Sequence, residues 1–175
     1  MSFTPFSKAV AVALVGLAAM VAPTGSQAGQ RELDLLSSYI GNWQGQGALT
    51  GGAGSEPFRC RLNVAKGNQA KVNYAGRCSL VDMNLSVSGT IAFNDATRHY
   101  EAAMSSNAGF TGIAVGRINE GRITFDLAER DTDRGGNMVR IGSKISLDNG
   151  QIVVEFEVEF NNSGEILTAK VPFDR

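Results

Sequence analysis

Alternation of apolar and polar side chains with a period of two runs through most of this chain. It is clearest in "VVEFEVEF", where Val154, Phe156, Val158 and Phe160 fall on one side and Glu155, Glu157 and Glu159 on the other. Successive side chains of a strand point to opposite faces, so such a segment builds a sheet with one dry and one wet face. A helix would scatter the same residues around its circumference.

The pattern recurs along the chain. In residues 57–64, Phe58, Cys60, Leu62 and Val64 oppose Arg59, Arg61 and Asn63; in residues 71–80, Val72, Tyr74, Gly76, Cys78 and Leu80 share a face. Further strands are predicted over 85–93, 98–104, 109–118, 122–129, 138–147, 151–160 and 165–173. Turn signals such as "ND", "NEG", "DNG" and "NNSG" separate many of them. With a first strand from Asn42, the count is about ten, at nearly regular spacing. No later stretch has the period of a crossover helix, so the sheet is expected to be antiparallel. The predicted fold is all-β: an up-and-down barrel, which removes exposed edges, with a two-sheet sandwich as the alternative.

Only the start departs from this rhythm. In "RELDLLSSYI", Leu33, Leu36 and Ile40 recur at near-helical spacing and Gly41 is a natural stop, which predicts a short helix closing one barrel end. Before it, Lys8, an apolar run from Ala9 to Val21, Pro23 and the small-x-small pattern Ser26-Gln27-Ala28 have the layout of a secretory signal peptide. The run is shorter than the roughly 20 residues that a spanning helix needs. The expected organisation is a removed signal peptide, residues 1–28, and one barrel domain, residues 29–175, in the periplasm or secreted. No second apolar stretch is long enough to cross a bilayer as a helix. The formal net charge is −1 with both signs scattered, so there is no basic stripe for nucleic acid.

An even cysteine count in an exported chain favours a disulfide over a metal site. If residues 68–70 form the turn between the second and third strands, Cys60 lies directly opposite Cys78 and Val64 opposite Tyr74. Every apolar residue of both strands then shares one side, close enough across the ladder for a bridge.

The single tryptophan, Trp43, sits in "GNWQGQG". Gly41 allows the sharp change of direction from helix to strand, and Trp43 is expected to plug the barrel under the helix, with Gly45 and Gly47 leaving room for the indole. Its N–H needs an acceptor once buried. This start resembles that of the calycin group, comprising lipocalins, fatty-acid-binding proteins and nitrobindin-like barrels, and the Gly41 to Gly47 spacing is most similar to the nitrobindin-like branch. The resemblance implies a ligand-holding barrel in which Arg175 packs across Trp43. Lipocalins also carry a Thr-Asp-Tyr motif, which is absent here. Nitrobindin-like proteins hold heme iron with a histidine near the C-terminus. This chain has only His99, mid-chain, so no cofactor is expected and heme is not supported by histidine placement. The first half also resembles small exported barrels that inhibit bacterial metalloproteases, which implies an exported protein partner as an alternative.

Candidates for chemistry are few. His99 and Glu101, two apart, share a strand face and read as an outward, solvated pair; as a proton-moving pair they would suit an isomerase within a calycin barrel, the third reading. No nucleophile elbow, phosphate loop or complete calcium loop is present, and "DTDRGGN" reads as a solvated turn rather than a metal site. No catalytic residue is assigned, and the chain reads more readily as a binding protein than as an enzyme. The ligand-binding set expected for the barrel is Trp43, Tyr74, Phe110, Phe125, Phe156 and Arg140. For the strand of Phe110, either Phe110, Gly112, Ala114 and Gly116 point inward or Thr111, Ile113 and Val115 do. Arg140 or Lys144 would reach a ligand only if their strand turned its polar face inward. The leading function is thus binding of a small apolar or amphipathic molecule, which calls for a cavity of roughly 300 Å³ or more.

Overall fold

The computed structural model describes residues 27–52, 54–81, 84–107, 111–132 and 135–175. The segment read as a signal peptide lies almost wholly outside these residues.

Ten antiparallel strands close into a barrel in the order β1-β10-β9-β8-β7-β6-β5-β4-β3-β2. They are β1 (Gly41–Gly51), β2 (Gly54–Lys66), β3 (Lys71–Ser79), β4 (Asn84–Asn94), β5 (His99–Ser106), β6 (Thr111–Asn119), β7 (Arg122–Thr132), β8 (Met138–Asp148), β9 (Gln151–Phe160) and β10 (Ile166–Asp174). Each strand pairs with its sequence neighbour, and β1 pairs with β10 to close the ring. The barrel expectation holds over the sandwich because β1 finds partners on both edges.

Hydrophobic alternation sets the register. Cys60 pairs with Cys78 and Val64 with Tyr74 across the β2–β3 hairpin. The sulfurs of Cys60 and Cys78 are bonded, with Cα atoms 4.0 Å apart. The turn between these strands is made by Gln69 and Ala70, both at positive φ (55° and 57°).

Among the described residues a single helix, α1 (Gln27–Ser37), precedes the barrel. It starts four residues before the sequence pattern suggests and stops before Ile40. Its last turn tightens: the Tyr39 N–H donates to Leu36 O and the Ile40 N–H to Ser37 O, which swings Tyr39 and Ile40 out of the helical path toward the barrel. Gly41 then sits at φ 153°, a conformation that side-chain-bearing residues rarely adopt, and the chain enters β1.

The helix end of the barrel is a packed plug. Leu36, Tyr39 and Trp43 are at most 3 % exposed and pack with Val64, Val72, Ile91, Tyr100, Ile123, Leu147 and Ile152. The indole N–H of Trp43 donates to Tyr39 O at 2.9 Å. The Arg175 guanidinium lies 4.6 Å above the indole ring and also donates to Ser38 O. The space above Gly45 and Gly47 is not left for the indole. A Cβ at Gly45 would meet Val171 at 2.6 Å, and one at Gly47 would meet Phe58 at 2.9 Å. These glycines admit side chains from the flanking strands.

Candidate functional site

The two ends of the barrel differ in how well their inner faces are covered. Near the helix, inward residues such as Ile123, Tyr100 and Phe125 are at most 1 % exposed. At the opposite, open end the inner face carries a separate apolar cluster. Val139 and Ile141 are buried there, while Val87, Met104, Leu127, Phe156, Val158 and Phe160 are only partly covered. No helix caps that end among the described residues, so water meets apolar side chains inside the mouth.

Between the two clusters lies a hollow lined by Tyr74, Ala102, Met104, Gly112, Ala114, Phe125, Leu127, Ser143 and Ile145. The space in it free to a water-sized sphere is ≈ 10 Å³, enough for about one water molecule. Side chains fill the barrel centre, and the hollow falls far short of the roughly 300 Å³ that the ligand reading calls for. Tyr74 donates its hydroxyl to Ala103 O at 3.3 Å, and burial pushes its pKa up to about 12. It is a neutral hydrogen-bonding group at ordinary pH.

The β6–β7 ladder runs only from Asn119↔Arg122 to Gly116↔Phe125. Further toward the mouth the two strands stay in contact, since a Cβ at Gly112 would meet Leu127 at 2.7 Å. Glu129 of β7 pairs with inward Ile141 and is half-buried; a Cβ at Gly112 would lie 3.1 Å from its Oε1. A carboxylate thus faces an otherwise apolar mouth.

The residues expected to bind a ligand are dispersed. Tyr74 and Phe125 line the hollow, and Phe156 faces the mouth. Trp43 is part of the plug, at the far end from the mouth, where its indole is spoken for by Tyr39 and Arg175. Phe110 lies outside the described residues, although Gly112, Ala114 and Gly116 do turn inward as the first phase of that strand requires. Arg140 is a correction. It points outward and pairs with Glu159 at 2.7 Å, because Val139 and Ile141 on either side claim the interior. Lys144 is outward too, 3.8 Å from Asp126.

His99 and Glu101 are on the outer face at the helix end. The His99 Nδ1 lies 2.5 Å from Thr97 O, and Glu101 accepts from the Asn94 amide at 2.9 Å. Neither faces the hollow. The expected set overlooked Met104, Leu127, Val158, Phe160 and Glu129. Their signal was available, since each shares the parity of an inward neighbour on its own strand.

A closed antiparallel barrel plugged by a helix and a Gly-x-Trp start, and apolar at its open mouth, defines a calycin-like barrel. The chain belongs to the family described as the THAP4-like, heme-binding beta-barrel domain, whose model matches residues 32–170. Among solved structures it is similar to Rv2717c from M. tuberculosis, at 16 % identity and TM-score 0.61, over 82 % of this chain and 96 % of that one. It is also similar to the S-type phycobiliprotein lyase CPES from Guillardia theta, at 10 % identity and TM-score 0.53, over 85 % and 98 %. These two likenesses show the fold. No curated protein sequence matches.

The family match overturns the expectation that heme has no support. That expectation weighed histidine alone, whereas methionine sulfur and tyrosine oxygen also hold heme iron. Met104 and Tyr74 both line the hollow. Met104 also belongs to the partly covered apolar cluster at the mouth, whereas the neutral Tyr74 hydroxyl is taken up by Ala103 O. The centre, with room for one water, does not admit heme.

Proposed function

We propose that this chain is an exported, non-catalytic binding protein that takes a small apolar or amphipathic molecule into the open mouth of its barrel. One observation carries the reading: the inner face between Met104, Leu127, Phe156 and Val158 is apolar, concave and only partly covered. Uncovered concave apolar surface is a binding site in most soluble proteins that have it. Glu129, half-buried beside Gly112, supplies an acceptor for a donor group on the ligand. Heme, named in the family's description, is the first molecule to test, with Met104 the inward donor nearest the uncovered cluster.

Hemin titrated into the purified protein should give a saturable Soret band. Val158→Lys, which puts a charge on the mouth wall, should weaken uptake at least tenfold without loss of folding. Native mass spectrometry of protein from its own cells should show a retained small-molecule mass. An empty protein that takes up neither hemin nor 1-anilinonaphthalene-8-sulfonate would overturn the reading. Export is tested by N-terminal sequencing of the protein from a periplasmic fraction, where a chain beginning at Gly29 is expected. The rival reading, an inhibitor that inserts an N-terminal trunk into a protease, is less well served, because residues 27–37 form helix rather than an extended arm.

A further inference from the structure

Four outward cations of this barrel are matched by a carboxylate on the next strand. Arg140 meets Glu159 at 2.7 Å, Lys170 meets Glu155 at 2.9 Å, Arg122 meets Asp148 at 2.7 Å and Lys144 meets Asp126 at 3.8 Å. Three outward arginines without such a partner lie together on β2 and β3. Arg61 stands directly opposite Arg77 in the ladder, and Arg59 is one outward position further along β2. None of the three has a carboxylate within 4.0 Å among the described residues.

Like charges directly opposite each other weaken a sheet. The surroundings do nothing to relieve the repulsion. The transverse row through the pair reads Gln44, Arg61, Arg77, Ser86, all uncharged apart from the two arginines. The neighbouring row contributes Asn63, whose amide donates to Asn42 at 2.8 Å, and Ala75, whose short side chain leaves a dent beside Arg77. Asp174, opposite Gln44 on the far side of β1, is the flanking carboxylate. An open groove of ≈ 370 Å³ follows these residues, and Trp43 is among those that line it.

We propose that this groove binds the phosphate group of a small anionic molecule between Arg61 and Arg77. Two guanidiniums present forked N–H donors that match oxyanion geometry, and the amides around them add neutral donors. Binding would exchange a cation–cation repulsion for two charge-assisted contacts. The groove is on the outer wall, separate from the mouth, so its test does not depend on the ligand reading above.

Trp43 is one of the residues lining the groove and the only tryptophan, so its fluorescence provides a label-free signal for the site. Inorganic phosphate is titrated at low ionic strength, with chloride at equal ionic strength as the blank. Vesicles of phosphatidylglycerol, against phosphatidylcholine, form a second arm in which the same chemistry comes from a lipid headgroup. Saturable binding in either arm, weakened at least tenfold in Arg61→Gln and in Arg77→Gln but unchanged in Arg117→Gln, is the expected result. The arm that responds identifies the source. No binding in either arm, or binding that survives loss of both arginines, overturns the proposal. Circular dichroism of each variant separates loss of the site from loss of the fold.

Discussion

Replacing Trp43 by Phe tests the plug on which barrel closure rests. The change keeps an aromatic ring and removes one buried donor, so its cost can be built from parts. Tyr39 O loses its 2.9 Å bond from the indole and stays buried, which costs about 1 to 2 kcal/mol. The smaller ring leaves space in a site only 2 % exposed, worth about 1 kcal/mol if the neighbours relax in part. Arg175, 4.6 Å above the ring, keeps a weaker partner, for a loss of about 0.5 kcal/mol. The total is about 3 kcal/mol, or a fall in Tm of about 6 to 12 °C for a domain of this size. Urea and thermal unfolding followed by far-ultraviolet circular dichroism provide the assay, since fluorescence disappears with the only tryptophan. Arg175→Ala should cost less in the Trp43→Phe background than in the native chain. A loss below about 1 kcal/mol, or strict additivity of the two changes, would refute the argument that the plug is a coupled unit.

Other consequences follow from the same structure. Reducing the Cys60–Cys78 bridge, or replacing both residues by Ala, should lower stability by about 3 kcal/mol, read from the urea midpoint with and without reductant. Burial raises the pKa of Tyr74 and of Tyr100 to about 12, with Glu32 and Tyr39 adding to the shift at Tyr100; Tyr39 is raised too. Their neutral forms are favoured by folding, so this stability is complete below pH about 10 and is lost as pH rises toward 12. Folded protein at pH 11 should therefore show little tyrosinate absorbance at 295 nm, with a jump on adding denaturant; a full signal without unfolding would contradict the burial. Gly89→Val should be among the most damaging single changes in the sheet, because a Cβ there would lie 2.0 Å from Ala103 O and 2.6 Å from the Tyr74 hydroxyl. A loss of about 3 kcal/mol is expected, and an unchanged urea midpoint would show that the strands part more easily than the contacts indicate.

The hairpin of β2 and β3 shows how much was readable from residues alone. Two runs with the same parity and a short polar link admit few registers, and the one that keeps both apolar sets together also joins the cysteines. Arg140 shows where reading stops. Its strand has Val139 and Ile141 on one side and Arg140 and Lys144 on the other, and only the direction of curvature tells which side a ligand meets. The same limit applied to the aromatic residues. Trp43, Phe125 and Phe156 share an inward parity, yet they lie at the plug, at the hollow and at the mouth.

The amino-acid order by itself determined strand number, pairing partners, the disulfide and the helix that precedes the barrel. These depend on period, turn chemistry and neighbour-to-neighbour register, all local properties of the chain. Tertiary structure alone decided how little space remains at the centre, which inward side chains stay only partly covered at the mouth, and that no carboxylate among the described residues comes within 4.0 Å of Arg61 or Arg77. Those features depend on ring closure and on how side chains from distant strands divide a shared interior, which a period of two does not encode.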